Sequence, residues 1–129
     1  MGEITLSTSK KHELIDITHD IQKNICSVKE GICIVYCPHT TAAITINESA
    51  DPDVKEDIIA KLNDIIPNDP DYKHSEGNSD AHIKSSIIGC SETIMIKEGK
   101  LVLGIWQAIY FAEFDGPRKR KIFIKIIKG

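Results

Sequence analysis

The stretch Ile32-Cys33-Ile34-Val35-Tyr36-Cys37-Pro38-His39-Thr40-Thr41-Ala42-Ala43-Ile44-Thr45-Ile46-Asn47-Glu48 carries two hydrophobic patterns, one on each side of a proline. Residues 32–37 are almost continuously apolar, which reads as a buried strand. Pro38 interrupts the run, since proline has no N–H to give to a sheet. From Ala42 the pattern alternates, with Ala42, Ile44 and Ile46 on one face and Ala43, Thr45 and Asn47 on the other. Two strands joined by a short segment that bears His39 set a β-rich frame.

Towards the N-terminus, residues 3–7 and 14–18 read as strands, the second rich in β-branched side chains. Ile21, Ile25 and Val28 recur at four and three, the spacing of a short helix that Gly31 ends after Glu30. On the other side, Asp51 is a good N-cap, Pro52 suits the first helical position and Asp53 suits the positive end of the helix dipole. Val54, Ile58, Leu62 and Ile65 form one apolar stripe, and Pro67 ends that helix. Residues 68–71 and 74–82 read as loop, 83–89 and 92–97 as strands, and Glu98-Gly99-Lys100 as a hairpin turn. Residues 101–114 read as one long central strand, apolar on both faces. Asp115-Gly116-Pro117 turns the chain into a last strand over 121–127. The pattern predicts a single α+β domain over residues 1–129, dominated by an antiparallel sheet or sandwich with one or two packed helices.

A chain of 129 residues has enough length for one good core. Its net charge of -3 gives no sign of a nucleic-acid partner, the one dense basic run being Arg118-Lys119-Arg120-Lys121. No apolar run approaches the roughly 20 residues that span a bilayer. No signal peptide is visible, so the expectation is a cytoplasmic, reduced protein. Cys26, Cys33, Cys37 and Cys90 include no C-x-x-C pair. Cys33 and Cys37 read as small core residues rather than nucleophiles.

Chemistry concentrates in His74-Ser75-Glu76-Gly77-Asn78-Ser79-Asp80-Ala81-His82, where two imidazoles and two carboxylates share an irregular stretch. With His39 they make three imidazoles, a candidate ligand set for Zn²⁺ or a similar divalent ion that leaves a fourth position open for catalysis. Asp80 or Glu76 would then orient a ring nitrogen. A metal-free version uses His39 or His82 as general acid or base beside Glu48, Glu76 or Asp80. In the plainest version the imidazoles only tie loops together. His12 and His19 lack such company and read as ordinary surface residues. Gln107 shares a strand face with Leu103, Ile105 and Ile109, so its amide needs partners or a pocket, while Trp106 reads as core. Asn47 and Thr45 are similarly placed. Lys84, Arg118 and Arg120 could bind a phosphate.

Three blocks of sequence resemble the YjbQ-like family, also called the secondary thiamine-phosphate synthase family, over nearly the whole chain. They are His39-Thr40-Thr41-Ala42-Ala43-Ile44-Thr45-Ile46-Asn47-Glu48 with Asp51-Pro52-Asp53; His74 with Glu76-Gly77-Asn78 and Asp80-Ala81-His82-Ile83-Lys84; and Gly104-Ile105-Trp106-Gln107 with Glu113, Gly116-Pro117 and Arg118. The resemblance implies a β-rich single domain assembled as a homotrimer, with a metal-bearing site where His39, His74 and His82 meet. Relatives often have Asp-Gly-Asn in the second block; Glu76-Gly77-Asn78 keeps the charge on a longer arm.

The activity attached to the family is weak thiamine-phosphate synthesis, a transfer that joins hydroxymethylpyrimidine diphosphate to thiazole phosphate and releases pyrophosphate. On that reading His39, His74, His82, Glu48 and Asp80 are catalytic. Lys84 and Arg118 hold phosphate, with a divalent ion (Zn²⁺ or Mg²⁺) sharing the charge. Gln107 and Asn47 contact a ring, and Thr41, Glu76 and Asn78 complete the substrate site. Two other functions fit the same residues: metal-dependent hydrolysis of a phosphorylated small molecule, and non-catalytic trimeric binding of a metabolite or metal.

Overall fold

The computed structural model describes every residue except Cys26. Its elements run β1 (Gly2–Ser7), β2 (Glu13–Asp16), α1 (Thr18–Lys23), β3 (Glu30–Tyr36), β4 (Ala42–Glu48), α2 (Pro52–Ile65), α3 (Ser79–Ile88), β5 (Ser91–Lys97), β6 (Lys100–Leu101), β7 (Gln107–Glu113) and β8 (Lys119–Lys128). Five strands pair in the order β1-β8-β3-β5-β6 and three in the order β2-β7-β4, with antiparallel neighbours throughout. The protein is therefore α+β, with three layers: the large sheet, the small sheet, and helices α2 and α3 on the small sheet's outer face.

Alternation along the strands builds those layers. Ala42 and Ile44 of β4 and Ile109 and Phe111 of β7 face the large sheet, where they meet Cys33, Val35, Ile94, Ile96, Ile122 and Ile124. Ala43 of β4 and Ala108, Tyr110 and Ala112 of β7 face the other way, against Ala81 of α3 and Ile58, Ile59 and Leu62 of α2. Central β7 is thus apolar on both faces, as its sequence predicts. The thiols of Cys33 and Cys37 are pushed up to about 11 by burial, which leaves them core side chains rather than nucleophiles.

Two local signals are realised as read. Asp51 caps α2 by accepting the amide of Asp53 at 2.9 Å. Glu98 and Gly99, both at positive φ, make the tight β5–β6 turn.

Five expectations are corrected. Residues 83–89 are not a strand but belong to α3, which begins inside the stretch read as loop. The buried side of α3 carries Asp80, Lys84 and Ser85, so its period of 3.6 is written in polar residues and escapes a hydrophobic reading. Helix α1 lies earlier than the Ile21, Ile25, Val28 spacing suggests; Ile25 and Val28 are buried beyond its end in turns. The expected long strand over 101–114 breaks between Leu101 and Gln107, because Gln107 Oε1 accepts the amide of Gly104 at 2.7 Å and folds the chain from one sheet to the other. Gln107 is consequently exposed, and so is Trp106 at 59%. Just past the end of α2, Ile66 is buried, whereas Ile65, the expected last member of the stripe, is exposed. Among the described residues no helix is long and apolar enough to cross a membrane.

Candidate functional site

Where the chain changes sheets it exposes side chains from three connections at one end of the sandwich. Pro38 to Thr41 leads from β3 to β4, Asp115 to Arg118 leads from β7 to β8, and residues 66–78 lead from α2 to α3. Ser85 fastens α3 to β4 by donating to the Ala42 carbonyl at 2.6 Å, which carries His82 towards His39. The result is a pocket of about 390 Å³ bordered by His39, His74, His82, Arg118 and Arg120, with Thr41, Glu76 and Asn78 on its wall. A second lobe of about 440 Å³ shares His39, Thr40 and His82 with the first and adds Ser85, Ser86 and Cys90.

The three imidazoles differ in surroundings. His39 Nε2 accepts the backbone amide of Lys121 at 2.9 Å. Burial, and then the Arg120 charge, hold its pKa below the ordinary histidine value. A neutral ring that accepts at Nε2 carries its proton on Nδ1, so His39 is a hydrogen-bond donor with no lone pair left to give. His74 and His82 stand edge to face with ring centroids 5.4 Å apart. Glu76 Oε1 lies 3.9 Å from His74 Nε2, close enough to pair with a protonated ring.

That arrangement bears on a metal. An open zinc centre needs three lone pairs aimed at one point, and His39's is committed to Lys121. Among the described residues no group of three or more His, Cys, Asp or Glu side chains is arranged to hold an ion. The residues as they stand therefore do not fit a three-imidazole metal centre, although all three rings border one pocket.

Two buried networks adjoin the site. In one, Glu113 accepts from Thr8 Oγ1 (2.7 Å), from Arg120 Nε (2.9 Å) and Nη2, and from the Asp115 amide (3.2 Å). Burial pushes the Glu113 carboxyl up, but the Arg120, Thr8 and Asp115 hydrogen bonds outweigh it and hold the pKa below the usual range. Arg120 Nη2 also donates to Thr41 Oγ1 at 2.9 Å, which ties the pair to the His39 connection. At the rim, Asp115 Oδ2 accepts from Asn78 Nδ2 and Arg118 Nη2, both at 2.8 Å.

The second network removes two expected site residues. Lys84 and Asp80 are buried away from the pocket wall. Lys84 Nζ lies 2.6 Å from Asn63 Oδ1, 3.4 Å from His12 Nε2 and 3.5 Å from Asp80 Oδ2. This knot joins α3, α2 and the segment before β2, so neither Lys84 nor Asp80 faces a substrate there. His12 is not the bystander its sequence context suggests: burial first, and then the Lys84 charge, keep its pKa low.

Glu48, Asn47 and Gln107 also stand apart. Glu48 pairs with Gln107 at the far end of β4, about 20 Å along the strand from Ala42. There Asn47 Oδ1 accepts the Glu48 amide. The structure thus brings together His39, His74, His82, Thr41, Glu76, Asn78 and Arg118, and keeps Glu48, Asn47, Gln107, Asp80 and Lys84 out. Sequence reasoning gave no role to Glu113, although a lone acid inside the apolar run of β7 was a legible signal. A larger opening, about 940 Å³, lies beside α1 and the β5–β6 turn. Its Gln22 is spent on Gly99 O and the Leu101 amide, and its wall also carries Asp16, His19, Lys29, Glu98 and Lys100.

The family model described as UPF0047 protein YjbQ-like matches residues 2–129. The chain is 59% identical to the UPF0047 protein MJ1081 of Methanocaldococcus jannaschii, over 95% of this chain and 90% of that one. It is 45% identical to the UPF0047 protein YugU of Bacillus subtilis, over 96% of each. Its fold is similar to the crystal structure of a YjbQ/UPF0047 family protein from Clostridium acetobutylicum, with a TM-score of 0.96 and 55% identity over 98% of this chain and all of that one. A YbjQ-like protein from Sulfolobus solfataricus superposes with a TM-score of 0.95 at 34% identity, over 99% of this chain and 96% of that one.

Proposed function

This chain belongs to the YjbQ-like UPF0047 family, and we propose that its histidine-lined pocket is the site of a small-molecule enzyme acting on a phosphorylated substrate. The observation that carries this reading is the convergence of three imidazoles and two guanidiniums on one pocket of about 390 Å³, a size that suits a metabolite. Thiamine-phosphate synthesis is the transfer proposed. The C–O bond of a hydroxymethylpyrimidine diphosphate breaks, its electron pair leaves with pyrophosphate, and the ring nitrogen of a thiazole phosphate forms the new C–N bond to the methylene.

The two joined lobes support a two-substrate transfer over hydrolysis. The lobe with Arg118 and Arg120 takes the diphosphate, and the lobe with Ser85 and Ser86 takes the second ring. His82 borders both and is proposed as the acid that meets the charge on the leaving oxygen. His39 orients through its Nδ1–H. Assembly as a homotrimer belongs to the same proposal, supported by the exposed apolar patch of Val102, Ile105 (91% exposed) and Trp106. A cytoplasmic setting suits the free thiols of Cys33, Cys37 and Cys90.

The test is product formation from the two phosphorylated substrates by wild type and His82→Ala. The expected loss is about a hundredfold, the size of one general acid, with substrate binding retained. Stoichiometric binding without any altered product, in wild type, would instead make this a binding protein and end the enzyme reading.

A further inference from the structure

We infer that Arg120 is the anchor of an oxyanion subsite in this pocket, hung in place by Glu113 and Thr41, and that the ligand group it takes is a phosphate or diphosphate. The inference rests on the pocket reading above and deepens it by naming the side chain that holds the anion.

A guanidinium has five N–H bonds in a fixed plane. Those on Nε and Nη2 of Arg120 go to Glu113 and to the hydroxyl and carbonyl of Thr41. Nη1 donates to no protein group among the described residues. It is not sealed either: the sealed polar atoms without a partner among them are Asn78 Oδ1 and Asp80 Oδ1. Arg120 is 2% exposed and borders the pocket, so that leftover edge opens into it.

A buried charge is costly unless its hydrogen bonds are closed, so an unspent guanidinium edge at a pocket wall is favourably placed for an anion. Glu113, 0% exposed, has both oxygens fully engaged and fixes the plane of the guanidinium. Glu113 is thus a positioning residue. The same pocket is bordered by His39, a neutral donor at Nδ1, and Arg118, whose Nε and Nη2 are held by Asp115. Planar, pre-oriented N–H donors match the oxygens of phosphate better than a flexible ammonium does. Lys84, the other cation the sequence offers, spends its hydrogens inside the protein.

The experiment is calorimetric titration of the intact protein with inorganic pyrophosphate and with inorganic phosphate. Wild type is compared with Glu113→Gln/Arg120→Met, which removes both charges at similar volume, and with Arg120→Lys. Folding of each variant is checked by its thermal transition. The expected result is binding by wild type and a loss of about thirtyfold or more in the double variant, with about tenfold in Arg120→Lys, the scale of charge-assisted hydrogen bonds. If the double variant does not fold, Arg120→Lys decides alone. A separate readout is the Arg120 Nε–H resonance, which shifts on adding pyrophosphate only if the anion reaches that side chain. Variants that bind within threefold of wild type, while His74→Ala weakens binding, overturn the Arg120 subsite and leave the phosphorylated-substrate reading standing. A wild type that binds neither anion overturns both.

Discussion

Two buried cations in this molecule, Lys84 and Arg120, sit in networks of similar composition and do different things. Lys84 has three hydrogens on Nζ and three acceptors around it, contributed by Asn63, His12 and Asp80. Its donors are all matched, although Asp80 Oδ1 is sealed without a partner among the described residues, and it binds two helices and the β2 approach together. Arg120 has five hydrogens and keeps one edge unspent at a pocket wall. The difference teaches that burial alone does not separate a structural charge from a binding one. The count of unspent donors does.

Lys84→Met should show the largest effect, a loss of about 3–5 kcal/mol of stability, because it leaves Asp80 buried without its cation. Urea unfolding checks this, and the folded fraction should bind pyrophosphate within twofold of wild type. A loss below about 1 kcal/mol would erase the contrast between the two networks. Glu113→Gln comes next, with a loss of about 3 kcal/mol as Arg120 is left without its counter-ion. Adding Arg120→Met to it should recover most of that loss while abolishing anion binding. A double variant no more stable than the single one would show that the two side chains are not a coupled pair.

A smaller effect should appear with pH. His12 and His39 have folded pKa values below 6.5, so between 6.5 and those lowered values the unfolded chain binds protons that the folded chain refuses. Stability therefore falls as pH drops below about 6.5. His39→Gln, whose amide oxygen can still accept from Lys121, should flatten that slope without removing it. Glu113 acts lower down: its pKa is depressed from 4.5, so its contribution is present above 4.5 and is lost as pH falls through the folded value. An unchanged slope in His39→Gln would mean that the ring is not held neutral. The smallest effect should be that of Arg118→Ala, at most about 1 kcal/mol for a half-exposed pair with Asp115. Its pyrophosphate affinity should fall less than that of Arg120→Lys. Zinc titration sharpens the same picture: His39→Ala should change zinc affinity less than twofold, and a tenfold loss would show that the ring can turn from Lys121 towards an ion.

The parts of the fold that were legible are those where one principle dominates. The alternation of β4, the Asp51 cap and the doubly apolar β7 each follow from period or local chemistry. Helix α3 was hidden because its inward side carries Asp80, Lys84 and Ser85, whose burial depends on Asn63 and Ala42, residues 21 and 43 positions away. The break after Leu101 was hidden because one side-chain hydrogen bond, Gln107 to Gly104, outweighs an apolar run. At the site, the residue types pointed to segments whose His39, His74 and His82 border one pocket. Which of their atoms remain unspent depends on long-range partners such as Lys121 for His39, and no spacing encodes that.

The placement of β8 has a consequence for how the chain is made. It lies between β1 and β3, so residues 119–128 are the bridge that unites the first strand with the rest of the large sheet. A growing polypeptide on the ribosome cannot complete this sheet until that bridge has emerged, and β1 stays unpaired with it until then. Because Arg120 lies on the same strand, the side chain that opens into the pocket takes its position only when that bridge pairs.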